Sequence, residues 1–345
     1  MADITADQLD LLVLAITDIP EYLYWDPSTH VQHRLGARRA ETVLIAQGCI
    51  GGITCLDQVA GRFATHPDYQ NALVIGVNRT CEAYWNRMET HSLMFSDGAA
   101  AAVLRRGHDA YTWRAVETIS DGRYSDFFLL EQGGAAVPFT ADGAETGMSP
   151  TVRDAWDMME FFDYDTDRFA TFVDLMNTRV AEVVARACRR IGADVSDLSR
   201  VVFLNDNART LKDVSGKIGV PLDRTNFDIS LEHGHFGAAD HLFNLRRHIL
   251  DDAVKPGDLI ALAGMGRGMH WACALIEVLH PDRSSGSPRG TRPTTSLSVH
   301  AFQAEVYTEM NRFCSRCGGV LSQSDHRPRR VSPAWAAMAS SSVGE

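Results

Sequence analysis

The stretch LEHGHFGAAD, residues 231–240, sets two histidines one residue apart and an aspartate five residues after the second. Histidine is the side chain whose charge changes near neutral pH, and a neighbouring carboxylate fixes its tautomer and orientation. His235 and Asp240 are thus a candidate base and the group that orients it, lacking only a nucleophile. Cys49 is the candidate for that role. It lies in AQGCIGG, between a strand-like apolar run and a run with helical spacing. A cysteine at a helix start has its thiolate favoured by the helix dipole and by free N–H groups. The same N–H groups can hold a developing oxyanion. Glycines at 48, 51 and 52 permit a tight bend and a close approach of backbone to a ligand. Each residue also has a plainer reading: Cys49 as a small buried apolar group, HGH as a glycine turn, and Asp240 as the N-cap of the next helix.

The elements that must position these residues follow from periodicity. Leu11 to Ile16 and Thr42 to Ala46 read as strands, and Ile50 to Phe63 as a helix. NALVIGVNRT is a continuous apolar strand, as in a sheet covered on both faces. SDGAAAAVLRRG is a turn and a small-residue strand. Residues 108–150 read as irregular excursions. RDAWDMMEFF and the long run from Asp167 to Ala193 are helices. LSRVVFLNDNA is a strand, and ARTLKDVSGKIGVP a helix ended by Gly219 and Pro221. ADHLFNLRRHILDDA is a helix, and GDLIALAGMGRGMHWACALIEVL two strands joined by a glycine loop. That loop opens no helix, so it fails as a dinucleotide-binding motif. The alternation argues an α/β layered fold with a mainly parallel sheet. The programme reads as run twice, the Cys49 strand–turn–helix being answered by the strand and helix around Asn205 to Gly219.

With 345 residues, 45% of them apolar, the chain can bury a large core. The formal charge of −11 argues against a nucleic-acid or anionic-membrane partner. Seven cysteines, an odd number with the first five scattered, read as a reduced, cytoplasmic protein. The acidic opening MADITADQLD does not read as a secretory leader. No apolar run reaches the roughly 18 residues of a membrane span. From Pro281 the chain turns rich in Pro, Ser and Arg and reads as a disordered tail. Cys314 and Cys317 have the spacing of half a zinc site without a second pair, so no metal is expected.

Four segments together resemble the beta-ketoacyl-acyl-carrier-protein synthase III group of the thiolase superfamily. GCIGGITCLDQVA is similar to its nucleophile motif, and MFSDGAAAAVL to its FGDGAGAAVL-type segment. EHGHFGAAD stands where the family has HGNTSAAS, and the two strands from Gly257 carry its closing glycine motif. The resemblance spans residues 5–279. It implies a thiolase-like fold of two related βαβ halves in an α-β-α-β-α arrangement. The first half is incomplete, because the family's opening strand and helices have no counterpart here. The implied organisation is a first half over 1–107, an irregular connection over 108–170, a second half over 171–279 and a tail over 280–345.

The departures from the family matter most. Its catalytic histidine sits in an HQANxR-type motif, and here that stretch is LNDNAR, with Leu204 or Asn205 at the position. Its asparagine aligns with His235. The pattern resembles an acyltransferase offshoot of secondary metabolism in which a His followed by an Asp serves the nucleophile. The resemblance implies Cys49, His235 and Asp240 as catalytic residues. It gives the N–H of Cys49 with Gly266 or Gly268 as oxyanion donors, and Asn205 and Asn207 as polar groups of the pocket. The donor would be an acyl-CoA or acyl-carrier-protein thioester, with no resident cofactor, and the acceptor a hydroxyl or amine. A homodimer through the NALVIGVN strand is implied. The alternatives are a carbon–carbon condensing enzyme and an inactive partner subunit.

Overall fold

The computed structural model describes residues 4–81, 84, 87, 93–108, 110–130, 133–138, 159–279 and 295–298. The first half is built from β1 (Leu11–Ile16), α1 (Pro27–Leu35), β2 (Glu41–Ile45), α2 (Gly51–Thr65), β3 (Asn71–Asn78) and β4 (Gly98–Arg106). β1 is parallel to both β2 and β3, and β4 is antiparallel to β3. Every β1 side chain is buried, which its unbroken run LLVLAI anticipates. Alternate residues serve opposite faces. Leu11, Val13 and Ala15 pack with α2, whereas Leu12, Leu14 and Ile16 pack with Ala37, Ala40 and the α1 residue Val31.

The second half comprises β5 (Tyr111–Ser120), α3 (Thr166–Arg190), β6 (Leu198–Phe203), α4 (Ala208–Ile218), α5 (Phe227–His233), α6 (Asp240–Leu250), β7 (Leu259–Gly266) and β8 (His270–Val278). β6 and β7 are parallel, while β8 is antiparallel to β7 and to β5. A short β9 (Thr295–Ser298) pairs with β4 and β5, giving the strand order β2-β1-β3-β4-β9-β5-β8-β7-β6.

The core shows the layers. Ile53, Leu56, Val59 and Phe63 of α2 share one buried cluster with Leu242 and Leu245 of α6 and with inward residues of both halves of the sheet. Val180, Val183 and Val184 of α3 and Leu211 and Val214 of α4 cover the outer face of β6–β8. α1 covers the outer face of β1. The order is α-β-α-β-α, a thiolase-like arrangement. Each fully buried Leu, Ile, Val or Phe here contributes roughly 1.5–3 kcal/mol.

Several expectations are corrected. Residues 111–120 form a strand, not an irregular excursion. Their side chains are only half covered, so YTWRAVETIS lacks the continuous apolar run that marks the interior strands. The expected 108–170 connection thus contains a member of the second half's sheet. β3 is hydrogen-bonded on both sides, so it cannot add a partner's strand, and the edge strand of the first half is β2. The internal echo also shifts. β1, β3 and β4 match β6, β7 and β8 in order and direction, and an isolated parallel bridge, Val201 to Thr225, stands where β2 pairs with β1. The counterpart of the Cys49 turn is therefore the loop before α6, not the loop after β6. Most of the helix expected over 153–162, and nearly all of the tail with Cys314 and Cys317, lie outside the described residues. Among the described residues no helix is long and apolar enough to cross a membrane.

Candidate active site

The chain leaves β2 and turns through a single 3-10 turn, Gly48–Ile50, into α2. Gly48 has φ 59°, the left-handed region, and a Cβ there would lie 3.1 Å from the Arg267 side chain. Gln47 is tethered by the Thr54 hydroxyl, which donates to its side-chain oxygen at 2.7 Å. Cys49 is thereby held, partly exposed, at the N-terminal end of a 15-residue helix whose dipole favours a thiolate.

His235 arrives on the loop between α5 and α6. Its backbone is clamped to the first half: its N–H donates to the Met94 carbonyl, and its carbonyl accepts from the Ser96 N–H, both at 2.9 Å. Gly234 has φ 72°, and a Cβ on it would strike the Ser96 hydroxyl and the Met94 carbonyl. The following 3-10 turn, Gly237–Ala239, is wedged against α2 and β3. A Cβ on Gly52 or Gly76 would lie 2.4 or 2.2 Å from the Ala238 carbonyl oxygen. The Ala238 N–H also donates to the Thr17 hydroxyl at 2.6 Å.

The result joins residues 186 positions apart. His235 Nε2 lies 3.0 Å from Cys49 Sγ, and Nδ1 lies 2.6 Å from Asp240 Oδ2. His235 is 1% exposed and Asp240 is not exposed at all. The carboxylate accepts two further bonds, from Asn205 N at 2.7 Å and Phe236 N at 2.6 Å. It is the first residue of α6, whose N-cap position falls on Ala239 with no side-chain cap bond, so the plainer expectation of Asp240 as the N-cap is corrected: its oxygens go to the imidazole and to the two loops. The Phe95 ring packs on the imidazole at 5.6 Å. Burial alone would lower the proton affinity of His235. Cys49 and Asp240 on either side more than offset it and hold the imidazole well above its usual value. The arrangement is a sulfur, an imidazole and a carboxyl group in line, the order in which a nucleophile, its base and the group that orients the base stand in acyl-transfer chemistry.

The other expected residues divide. Gly266, at the end of β7, packs on the nucleophile turn, and a Cβ there would lie 3.2 Å from Cys49 N. Gly268, with φ 135°, lies against the His270 ring. Asn205 is buried, but its side chain is committed elsewhere. It donates to the Gly234 carbonyl and accepts from the Asn226 and Asn244 amides, so it is scaffold rather than pocket lining. Asn207 caps α4, accepting from Arg209 N and Thr210 N. Both expectations of a pocket role are corrected: the Asn205 amide ties the loop after β6 to the segments around α5 and α6, and the Asn207 amide caps α4. Leu204 is in the outer core cluster.

Sequence reasoning missed Asp206, a carboxyl that burial pushes up to about 6, and the 94–96 clamp. Asp206 stood in plain view in LNDNAR, but nothing in its neighbours marks an aspartate that folds inward. His233 stacks on Phe243 and Phe236, a packing role.

Residues 45–122 match the family model of 3-oxoacyl-[acyl-carrier-protein (ACP)] synthase III, and residues 188–278 match that of its C-terminal part. A beta-ketoacyl-[acyl-carrier-protein] synthase III of Synechocystis sp. is 28% identical over 279 residues, covering 80% of this chain and 78% of the relative. An acetoacetyl CoA synthase of Streptomyces sp. is 28% identical, covering 80% and 79%. Among solved structures, ChlB3, an acyltransferase, superposes with TM-score 0.69 at 22% identity, covering 80% of this chain and 79% of that one. The 3-oxoacyl-[acyl-carrier-protein] synthase III of Aquifex aeolicus superposes with TM-score 0.64 at 23% identity, covering 80% and 79%. The fold is thus thiolase-like. More narrowly, residues 45–122 and 188–278 carry synthase III-type domains.

Proposed function

We propose that the protein is an acyltransferase that moves an acyl group from a CoA or acyl-carrier-protein thioester, through Cys49, to a hydroxyl or amine of a second substrate. The observation that carries this reading is the relay itself. One imidazole, His235, touches the sulfur and is backed by Asp240, while the loop after β6 offers Leu204 in the core and Asn205 fully engaged. Condensing enzymes of the family, by the resemblance drawn above, use a histidine and an asparagine together on an enolate oxygen. This site supplies no such pair.

The steps follow from the geometry. The Cys49 thiolate attacks the thioester carbonyl, forming an S–C bond and an oxyanion. The oxyanion is met by the N–H of Cys49 and one from the glycine loop of residues 264–268. Losing one such donor typically costs on the order of 10²–10³ in rate. Collapse breaks the bond to the donor sulfur, which leaves with the proton from His235 Nε2. The acceptor then gives its O–H or N–H proton to the neutral imidazole and attacks the same carbon. The C–S bond to Cys49 breaks, and the thiolate–imidazolium pair is restored. No resident cofactor takes part. Self-association would use the free edge of β2, close to the nucleophile turn.

Incubation with acetyl-CoA, followed by intact-mass measurement, should show one acetyl adduct on the native protein and none on Cys49→Ala. No adduct with any acyl thioester would refute the reading and leave the inactive-subunit alternative. The curated relatives above bear the names of condensing enzymes, which keeps a carbon–carbon reading in play. Decarboxylation of a malonyl thioester at a rate matching acyl transfer would favour it.

A further inference from the structure

We propose that His241 is a positioning residue for this acyl transfer: by donating from its ring to the Ala263 carbonyl, it holds the end of β7 and the glycine loop where they can receive the oxyanion. The inference rests on the reading above. Its ground is the place where one strand leaves the sheet. β6 pairs with β7 as far as Phe203, opposite Ala263. β7 runs on to Gly266 with β8 on its other side. The His241 ring meets β7 at the point where β6 leaves it. Its Nε2 lies 2.9 Å from the Ala263 carbonyl oxygen. A carbonyl only accepts, so Nε2 carries the proton. The ring also stands against Gly264, where a Cβ would come within 2.9 Å of Nε2 and 3.1 Å of Cε1. Two residues further on, Gly266 touches the nucleophile turn. A Cβ there would lie 2.6 Å from the Gln47 carbonyl oxygen and 3.2 Å from Cys49 N.

His241 is fully buried, and its Nδ1 has no hydrogen-bond partner among the described residues. A buried ring nitrogen left unpaired is a cost that an apolar side chain would avoid. What the polar ring supplies in return is the bond from Nε2. Burial also lowers its proton affinity, so the ring is neutral and Nε2 is its single donor. His241 follows Asp240 directly in the first turn of α6. One helix start thus aims the base, through Asp240, and the glycine loop, through His241. Addition of the Cys49 sulfur to the thioester carbonyl forms the S–C bond and moves the carbonyl electron pair onto oxygen. A donor misplaced by about 1 Å at that moment can cost about 10² in rate.

Two reactions of the same sulfur test this. Acetylation by acetyl-CoA passes through an oxyanion. Alkylation by iodoacetamide, in which the sulfur displaces iodide, does not. His241→Leu keeps much of the bulk of the ring and removes the donor. It should slow single-turnover acetylation of Cys49 by about 10–10²-fold, with the half-saturating acetyl-CoA concentration within about threefold of native. Alkylation of Cys49, read by peptide mass, should keep its native rate. His241→Gln returns an N–H at the reach of Nε2 and should bring acetylation back to within about threefold of native. Equal loss of both reactions in His241→Leu, or loss of neither, overturns the proposal. So does a His241→Gln variant that acetylates as slowly as His241→Leu. If His241→Leu does not fold, His241→Gln and the native protein decide. Ring nitrogen NMR of the native protein should find the His241 proton on Nε2 with Nδ1 bare, and the reverse tautomer overturns the proposal as well. A native protein that forms no adduct on Cys49 refutes the acyl-transfer reading; a native adduct with acetylation unchanged in His241→Leu refutes only the part given to His241.

Discussion

Both helices of the central layer begin with a single 3-10 turn, Gly48–Ile50 before α2 and Gly237–Ala239 before α6. The two turns stand at matching points of the two halves, yet they serve different ends. The first puts a reactive atom at its centre, with Cys49 partly exposed between buried neighbours. The second is buried throughout and carries no reactive atom of its own. Its chemistry stands on its flanks, with His235 two residues before and Asp240 one after. One turn presents; the other is packing that aims what it joins. A repeated architecture can therefore divide a reaction between its copies, the nucleophile taken from one and the base from the other.

The sharpest way to break this comparison is at Asp240. Its two oxygens receive three donors, so an amide nitrogen at either position would face an N–H. Asp240→Asn should lower the turnover rate by about 10²–10⁴, because the imidazole loses its orienting anion. Steady-state kinetics on an acyl thioester checks this, and a loss under tenfold would contradict it. The packing role is tested next by a pair of glycines. Gly76→Ala drives a methyl into the Ala238 carbonyl and should cost about 1–3 kcal/mol by chemical denaturation. Gly61→Ala lies in the exposed middle of α2 with nothing within 4 Å, and should instead stabilise by up to about 1 kcal/mol. Equal effects at the two sites would remove the case for a wedge. The smallest effect belongs to the loop after β6. Asn207→Ala removes a helix cap and should cost about 1 kcal/mol in the same measurement. Since the residue is scaffold, adduct formation on Cys49 should survive.

Much of this was legible in the chain. Cys49, His235 and Asp240 were marked by residue type, by flanking glycines and by departures from a family pattern, and the structure brings all three together. The interior strands were legible because burial on both faces leaves an unbroken apolar run. β5 was not, because a half-covered strand mixes Thr, Arg and Glu among its apolar residues. α1 carried good terminal signals, with Asp26 capping Ser28 N, Pro27 in the first turn and Gly36 at φ 73°. Its exposed, polar body hid the helical period. Asn205 and Asn207 read as pocket groups in the sequence because an amide near a catalytic motif suggests contact with substrate. Only the fold shows where their hydrogen bonds go.

By covalent connectivity His235 belongs to the second half, yet its backbone is fastened to Met94 and Ser96, and that of Ala238 just after it to Thr17, all on the first. The imidazole is in effect a passenger of the half that bears the sulfur. Were the two halves to shear slightly as a bulky acyl chain is admitted, the gap between nitrogen and sulfur would hold. The displacement would fall instead on the seam where Asn205 meets Asp240.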